Sequence, residues 1–300
     1  MGRPYYVVDA FTNERYAGNA AAVVLDADGI GDKTMAAIAA EFNLSETTFV
    51  LSPEGEGAVR FRWFTPTVEV DLCGHATIGG VHALLESDRC EGLIDPQGVL
   101  SIETRSGVLH ATVDKLPGGD RLIWLTLPTP SLEPITLIPS ELTEILGVPE
   151  ETLLLDPKPM KSRDGDLIVL VRDALTLNEA KPDFTAMAKF TRRHHLRGVS
   201  MATVNTLTES VDVQSRFFAP GAGVDEDPVT GSVHGPLGAY IIQNGLHPTE
   251  DGKAILTCVQ GKPGARAGLI RVLIDRSDPD RTTALIGGQA VTTMTGSLVE

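Results

Sequence analysis

The chain has 300 residues, 42% of them hydrophobic and 22% charged, with a formal net charge of −15. A chain of this size tends to split its core in two. Its longest apolar runs, at 20–25 and 167–171, are too short to span a bilayer, and an acidic surface repels phosphate backbones. A membrane span and a nucleic-acid partner are excluded on these grounds, whereas a small anionic ligand held in a locally positive site is not.

The opening MGRPYYVVDAF has no basic segment leading into an apolar one, so no signal peptide and a cytoplasmic protein are expected. Tyr6 stands where a myristoylation signal at Gly2 needs Ser or Thr. Strands are predicted at 5–8 and 21–25, a helix at 33–41, strands at 47–51 and 59–64, and a helix at 75–86. Strands follow at 108–113 and 122–127, and the proline-rich LPTPSLEP at 127–134 reads as a linker. Beyond it come a helix at 140–146, a strand at 167–171, a helix at 184–190, strands at 199–204 and 211–218, and a helix at 232–243. Strands at 255–259, 269–274 and 283–286 complete the pattern. Many strands and few helices, without regular alternation, indicate an α+β fold rather than a doubly wound sheet. Neither GxGxxG nor GxxxxGK[ST] occurs.

The chain repeats itself. RWFTP at 62–66, then VDLCGHATIGG at 70–80, is echoed by RFFAP at 216–220 and VDEDPVTGSVHG at 224–235. Each copy reads as strand, proline turn, Val-Asp, glycine loop and a helix apolar around most of its circumference, hence buried. This predicts two barrel-like domains, each threaded by its own helix. The first spans 1–127, joined by a C-terminal strand near 288–300, and the second spans 128–287, with the active site in the cleft between them.

Each copy also sets glycine and small polar residues at the first turn of its helix: Gly74, His75 and Thr77, and Thr230, Gly231 and Ser232. Helix N-termini offer unpaired N–H groups and partial positive charge. Two such ends facing one another would hold a carboxylate or stabilise an enolate; the alternative is ordinary capping by Ser and Thr. Glu46, after Asn43, Leu44 and Ser45 and before an apolar strand, is an acid whose pKa partial burial could raise toward neutrality, or else an exposed strand-edge residue. Asp225, Glu226 and Asp227 form an acidic cluster before the second helix, with Asp227 placed by Pro228. The three cysteines (Cys73, Cys90, Cys258) form no CxxC and the histidines no HExxH, so no disulfide framework or zinc site is expected.

VDAFTNERYAGNAAAVV at 8–24, NLSETTFV at 43–50, EVDLCGHATIGG at 69–80 and FFAPGAGVDEDPVTGSVHG at 217–235 together closely resemble the phenazine-biosynthesis PhzF-like isomerases, which share the diaminopimelate-epimerase fold. The resemblance covers nearly the whole chain and implies two pseudo-symmetric domains, each a curved mixed sheet wrapped around a central helix. It implies an isomerase or epimerase that moves a proton within a small carboxylic acid, without metal or coenzyme, and by family habit a homodimer. It places the catalytic glutamate on Glu46 and the glycine–histidine pair on Gly74 and His75. The aspartate and serine fall on Asp227 and Ser232. Gly18, Asn19, Ser45, Thr77, Thr230 and Gly231 would line the substrate pocket. Cys73 stands where diaminopimelate epimerases and proline racemases carry one catalytic thiol, but the partner position holds Thr230, which disfavours a two-thiol mechanism. Cys73 then reads as a packing residue that could still titrate low at a helix N-terminus. A one-cysteine racemase and a non-catalytic metabolite-binding protein remain the competing readings.

Overall fold

The computed structural model describes residues 2–262, 264–278 and 281–299. Two compact units emerge, Met1–Thr126 with Gly287–Glu300, and Leu127–Ile286. The first holds β1 (Arg3–Ala10), β2 (Asn19–Val24), α1 (Asp32–Phe42), β3 (Glu46–Leu51), β4 (Val59–Phe64), β5 (Glu69–Val70), α2 (Gly74–Glu86), β6 (Val99–Thr104), β7 (Gly107–Lys115) and β8 (Arg121–Thr126). The second holds β9 (Leu132–Pro134), α3 (Pro139–Leu146), β10 (Leu153–Leu154), β11 (Met160–Ser162), β12 (Asp166–Val171), α4 (Ala174–Glu179), α5 (Phe184–Arg193), β13 (Gly198–Thr203), β14 (Val213–Ala219), β15 (Val224–Asp227), α6 (Gly231–Gln243), β16 (Lys253–Gly261), β17 (Ala267–Asp278) and most of β18 (Arg281–Gly288). A last strand, β19 (Ala290–Leu298), belongs to the first unit and pairs antiparallel with β1. No helix among the described residues is long and apolar enough to cross a membrane.

The repeat is written in the strand pairing. In the first unit β2–β3 is parallel, β3–β4 antiparallel, β4–β6 parallel and β6–β7 antiparallel, with β5 laid on β4. In the second, β12–β13, β13–β14, β14–β16 and β16–β17 follow the same senses in the same order, with β15 laid on β14. The expected α+β fold with mixed sheets is therefore present in both units. The proposed linker is not bare: β9 lies inside it and pairs with β11. The short strands β5, β9, β10, β11 and β15 and the six-residue α4 had no sequence signal, because two to six residues are too few to display a period. β6 also lay outside the expected strands, its VLSIET being bracketed by polar residues.

The sequence register of the repeat needs one correction. Trp63 pairs with Val70, whereas Phe217 pairs with Asp227. The turn in the second copy is thus three residues longer, taken up by a 3-10 turn at Pro220–Ala222 and by Gly223 at φ 93°. Val70 is therefore equivalent to Asp227, and Glu69 to Glu226, rather than Val-Asp to Val-Asp. Side chains agree with this register. Arg62 grips Glu69 through two bonds (Nε–Oε1 2.7 Å, Nη2–Oε2 2.8 Å) and lies over Phe64. Arg216 grips Glu226 in the same way (2.7 and 2.8 Å) and lies over Phe218.

Both long central helices are buried, as their all-round apolar character predicts. In α2 every residue from Gly74 to Val81 is buried. Glycines let the sheet approach: a Cβ at Gly79 would sit in ordinary contact with Val8, Ala21 and Val23, but one at Gly80 would lie 2.5 Å from Cε2 of Phe61. Phe61 is fully buried and cannot swing aside. Gly80→Ala adds about 1 kcal/mol of helix propensity but incurs an overpacking cost of roughly 1–3 kcal/mol. The clash is expected to win, lowering the urea midpoint at unchanged m-value.

Candidate functional site

In the first unit the site residues are placed by local rules. Asn43 ends α1 in the left-handed conformation (φ 50°), its N–H bonded to the Ala39 carbonyl. Two residues later the chain enters β3 at Glu46. Strand side chains alternate, so Glu46 and Thr48 share one face, and that face meets the start of α2. The Thr48 hydroxyl donates to the Ala76 carbonyl at 2.9 Å, and Glu46 Oε2 lies 3.2 Å from His75 Nε2. Glu46 is 18% exposed and His75 6%. This is a desolvated pair with one edge open to water, not an exposed strand-edge acid.

The other ring nitrogen of His75 meets two more groups. Cys73 Sγ is 3.4 Å and the Asn19 amide nitrogen 3.3 Å from Nδ1. Burial alone would push the imidazole down, but the charges of Cys73 and Glu46 oppose it and hold the ring well above the usual histidine value. Burial raises the Cys73 thiol first, the Glu46 carboxylate raises it further, and His75 only partly offsets them. Glu46 is thus the neighbour that acts on both groups, raising His75 and Cys73 alike. The expectation of a low-titrating Cys73 fails because desolvation outweighs the helix N-terminus.

Capping by Ser or Thr is also absent. The N-cap residues of α2 and α6 are Cys73 and Thr230, and neither side chain caps its helix. Thr77, fully buried, donates to the Cys73 carbonyl at 2.5 Å and so shapes the first turn rather than offering its hydroxyl to a ligand. Gly18 takes φ 58°, and a Cβ there would collide with the Ala10 carbonyl. Only glycine lets the chain turn into Asn19, which is itself buried. Ser45 is half-buried beside Glu46.

In the second unit Asp227, Thr230, Gly231 and Ser232 come together at the start of α6. The Thr230 hydroxyl donates to Asp227 Oδ2 at 2.5 Å. His234, one turn on, is fully buried and pushed down to about 4 by desolvation. Its Nδ1 lies 2.8 Å from the Thr230 carbonyl, which can only accept, so Nδ1 carries the proton. Three residues the sequence reading missed complete this half. Gln260 is fully buried and bonds to both Asp227 and Thr230. Arg197 donates to Ser232 Oγ at 3.0 Å and forks onto Asp166 at 2.7 and 2.6 Å. Burial pushes the Asp166 carboxyl up, and the guanidinium offsets part of that. Arg197 sits in the polar run TRRHHLRG and Gln260 at the end of a strand, where a lone polar residue reads as solvated.

Glu46, Cys73 and His75 are also the trio among the described residues whose donor atoms lie within 4.8 Å of one another and could hold a metal ion. Glu46 lies nearest Nε2 of the imidazole and Cys73 nearest Nδ1.

The model of the phenazine biosynthesis-like protein family matches residues 8–296. The chain belongs to that family. A relative from Halalkalibacterium halodurans, named an uncharacterized isomerase, is 35% identical over all of this chain and 99% of its own. Another so named, from Pseudomonas aeruginosa, is 37% identical over 98% of this chain and 97% of its own. The crystal structure of a PhzF-family phenazine biosynthesis protein from Bacillus anthracis superposes with a TM-score of 0.89 at 29% identity, covering both chains fully. A probable proline racemase from Agrobacterium radiobacter, at 12% identity and TM-score 0.65 over 99% of this chain and 93% of its own, shares the fold.

If Glu46 sustains the His75 imidazolium, Glu46→Gln should move the His75 titration midpoint to lower pH. ¹H–¹⁵N spectra of the ring nitrogens across a pH series read it directly. An unchanged midpoint would mean that the carboxylate does not hold the ring charged.

Proposed function

We propose that this PhzF-family chain is an isomerase of a small carboxylic-acid metabolite, with Glu46 taking a proton from carbon and returning it. The observation that carries this reading is the Glu46–His75 contact at 3.2 Å, a half-buried carboxylate coupled to a buried imidazole. General acid–base catalysis requires such a group in a partly desolvated setting. Family relatives named isomerases support the reaction class. In the same reading Asp227 and Ser232 orient the substrate or relay protons, and Gly18, Asn19, Ser45, Gly74, Thr230 and Gly231 line its binding surface. The chemistry needs only groups that gain and lose protons, so neither metal nor coenzyme enters it.

The test is solvent exchange. Small cyclic and acyclic carboxylic acids are incubated with the enzyme in D₂O and deuterium incorporation at carbon is followed by NMR. Glu46→Gln should cut the exchange by about 10²–10⁴-fold while the spectrum of the folded protein is retained. Undiminished exchange in that variant would refute Glu46 as the base.

The Cys73–His75 contact of 3.4 Å favours one second reading, in which the thiol donates or accepts the proton. Cys73→Ala separates the two. Under the carboxylate mechanism it keeps exchange within about tenfold, whereas a thiol mechanism predicts a loss as deep as that of Glu46→Gln.

A further inference from the structure

Gln260 is fully buried at the end of β16 and makes three hydrogen bonds, all to one short segment. Its Oε1 accepts from the Thr230 backbone N–H at 2.9 Å. Its Nε2 donates to the Asp227 backbone carbonyl at 2.7 Å and to the Thr230 hydroxyl oxygen at 3.1 Å. The Thr230 hydroxyl lies 2.5 Å from Asp227 Oδ2.

Amide ends of glutamine are normally ambiguous, but here they are not. A backbone N–H can only donate and a backbone carbonyl can only accept, so Oε1 must face Thr230 and Nε2 must face Asp227. The two hydrogens of Nε2 are then both committed, one to the carbonyl and one to the Thr230 hydroxyl. A hydroxyl that receives a hydrogen from behind sends its own forward, onto Asp227 Oδ2. The 2.5 Å separation falls in the range of a hydroxyl bonded to an ionised carboxylate.

We infer that Gln260 is a positioning residue that fixes the direction of this chain, so that Asp227 meets its loop only as an acceptor and carries no proton on Oδ2. Resting on the proposed isomerase reading, this gives Asp227 a definite part: it holds a hydrogen-bond donor of the substrate, a hydroxyl or an amino group, and does not itself shuttle the proton. In the first unit Cys73, the counterpart of Thr230, bonds to His75 instead.

The experiment is ¹H NMR of the whole chain, and it needs no substrate. The Thr230 hydroxyl proton, held between amide and carboxylate, should give a downfield resonance that exchanges slowly with water. Thr230→Val removes it and Thr230→Ser retains it, which assigns it. Gln260→Met keeps the volume but not the donor, and the resonance is expected to broaden into the solvent signal while the fold's amide spectrum persists. A resonance that stays sharp in folded Gln260→Met would show that the glutamine does not set the direction. If Gln260→Met does not fold, the wild type still decides: a Thr230 hydroxyl proton in fast exchange there overturns the inference. Once the exchange screen supplies a substrate, Gln260→Met should lower kcat by about 10²-fold through misplacement, with KM changed far less. A failed screen would sink the isomerase reading and leave the hydroxyl result standing, and the reverse also holds.

Discussion

Each unit depends on one device, an arginine–glutamate fork laid across an aromatic ring. Arg62 holds Glu69 over Phe64, and Arg216 holds Glu226 over Phe218. Arg216 is 2% exposed and its remaining nitrogen donates to the Leu177 and Ala180 carbonyls at 3.0 Å, so the buried charge is fully bonded. Removing one partner of such a pair typically costs about 3–5 kcal/mol, because the other is left charged and dry. Its positional effect is larger than its energy. The glutamate sits on the short strand that leads into the site helix, so the fork fixes where that helix begins and which side chains occupy its first turn. Arg62 also holds the Glu69 carboxyl below its usual range, keeping the fork ionised well into acid.

With the helix entries fixed alike, the chemistry is free to differ at equivalent positions. The N-cap is Cys73 in one unit and Thr230 in the other, and the second helical residue is His75 or Ser232. His75 is met from the strand before it by Glu46, whereas Ser232 is met by Arg197, one residue before the equivalent strand. Duplication thus supplied two identical frames. The first carries a glutamate–histidine–cysteine cluster, and the second a network of buried hydrogen bonds.

Much of this was legible because it follows from periodicity or local chain chemistry. The two buried helices announce themselves by lacking a polar face. The residues that were missed share a different property. Gln260, Arg197 and Asp166 act through partners 30 or more positions away in sequence, and no local pattern distinguishes a buried polar residue with distant partners from a solvated one. The mistaken register of the repeat has the same origin. Val-Asp recurs by letter, but the strand ladder, and not the letters, decides that Glu69 and Glu226 are the equivalent pair.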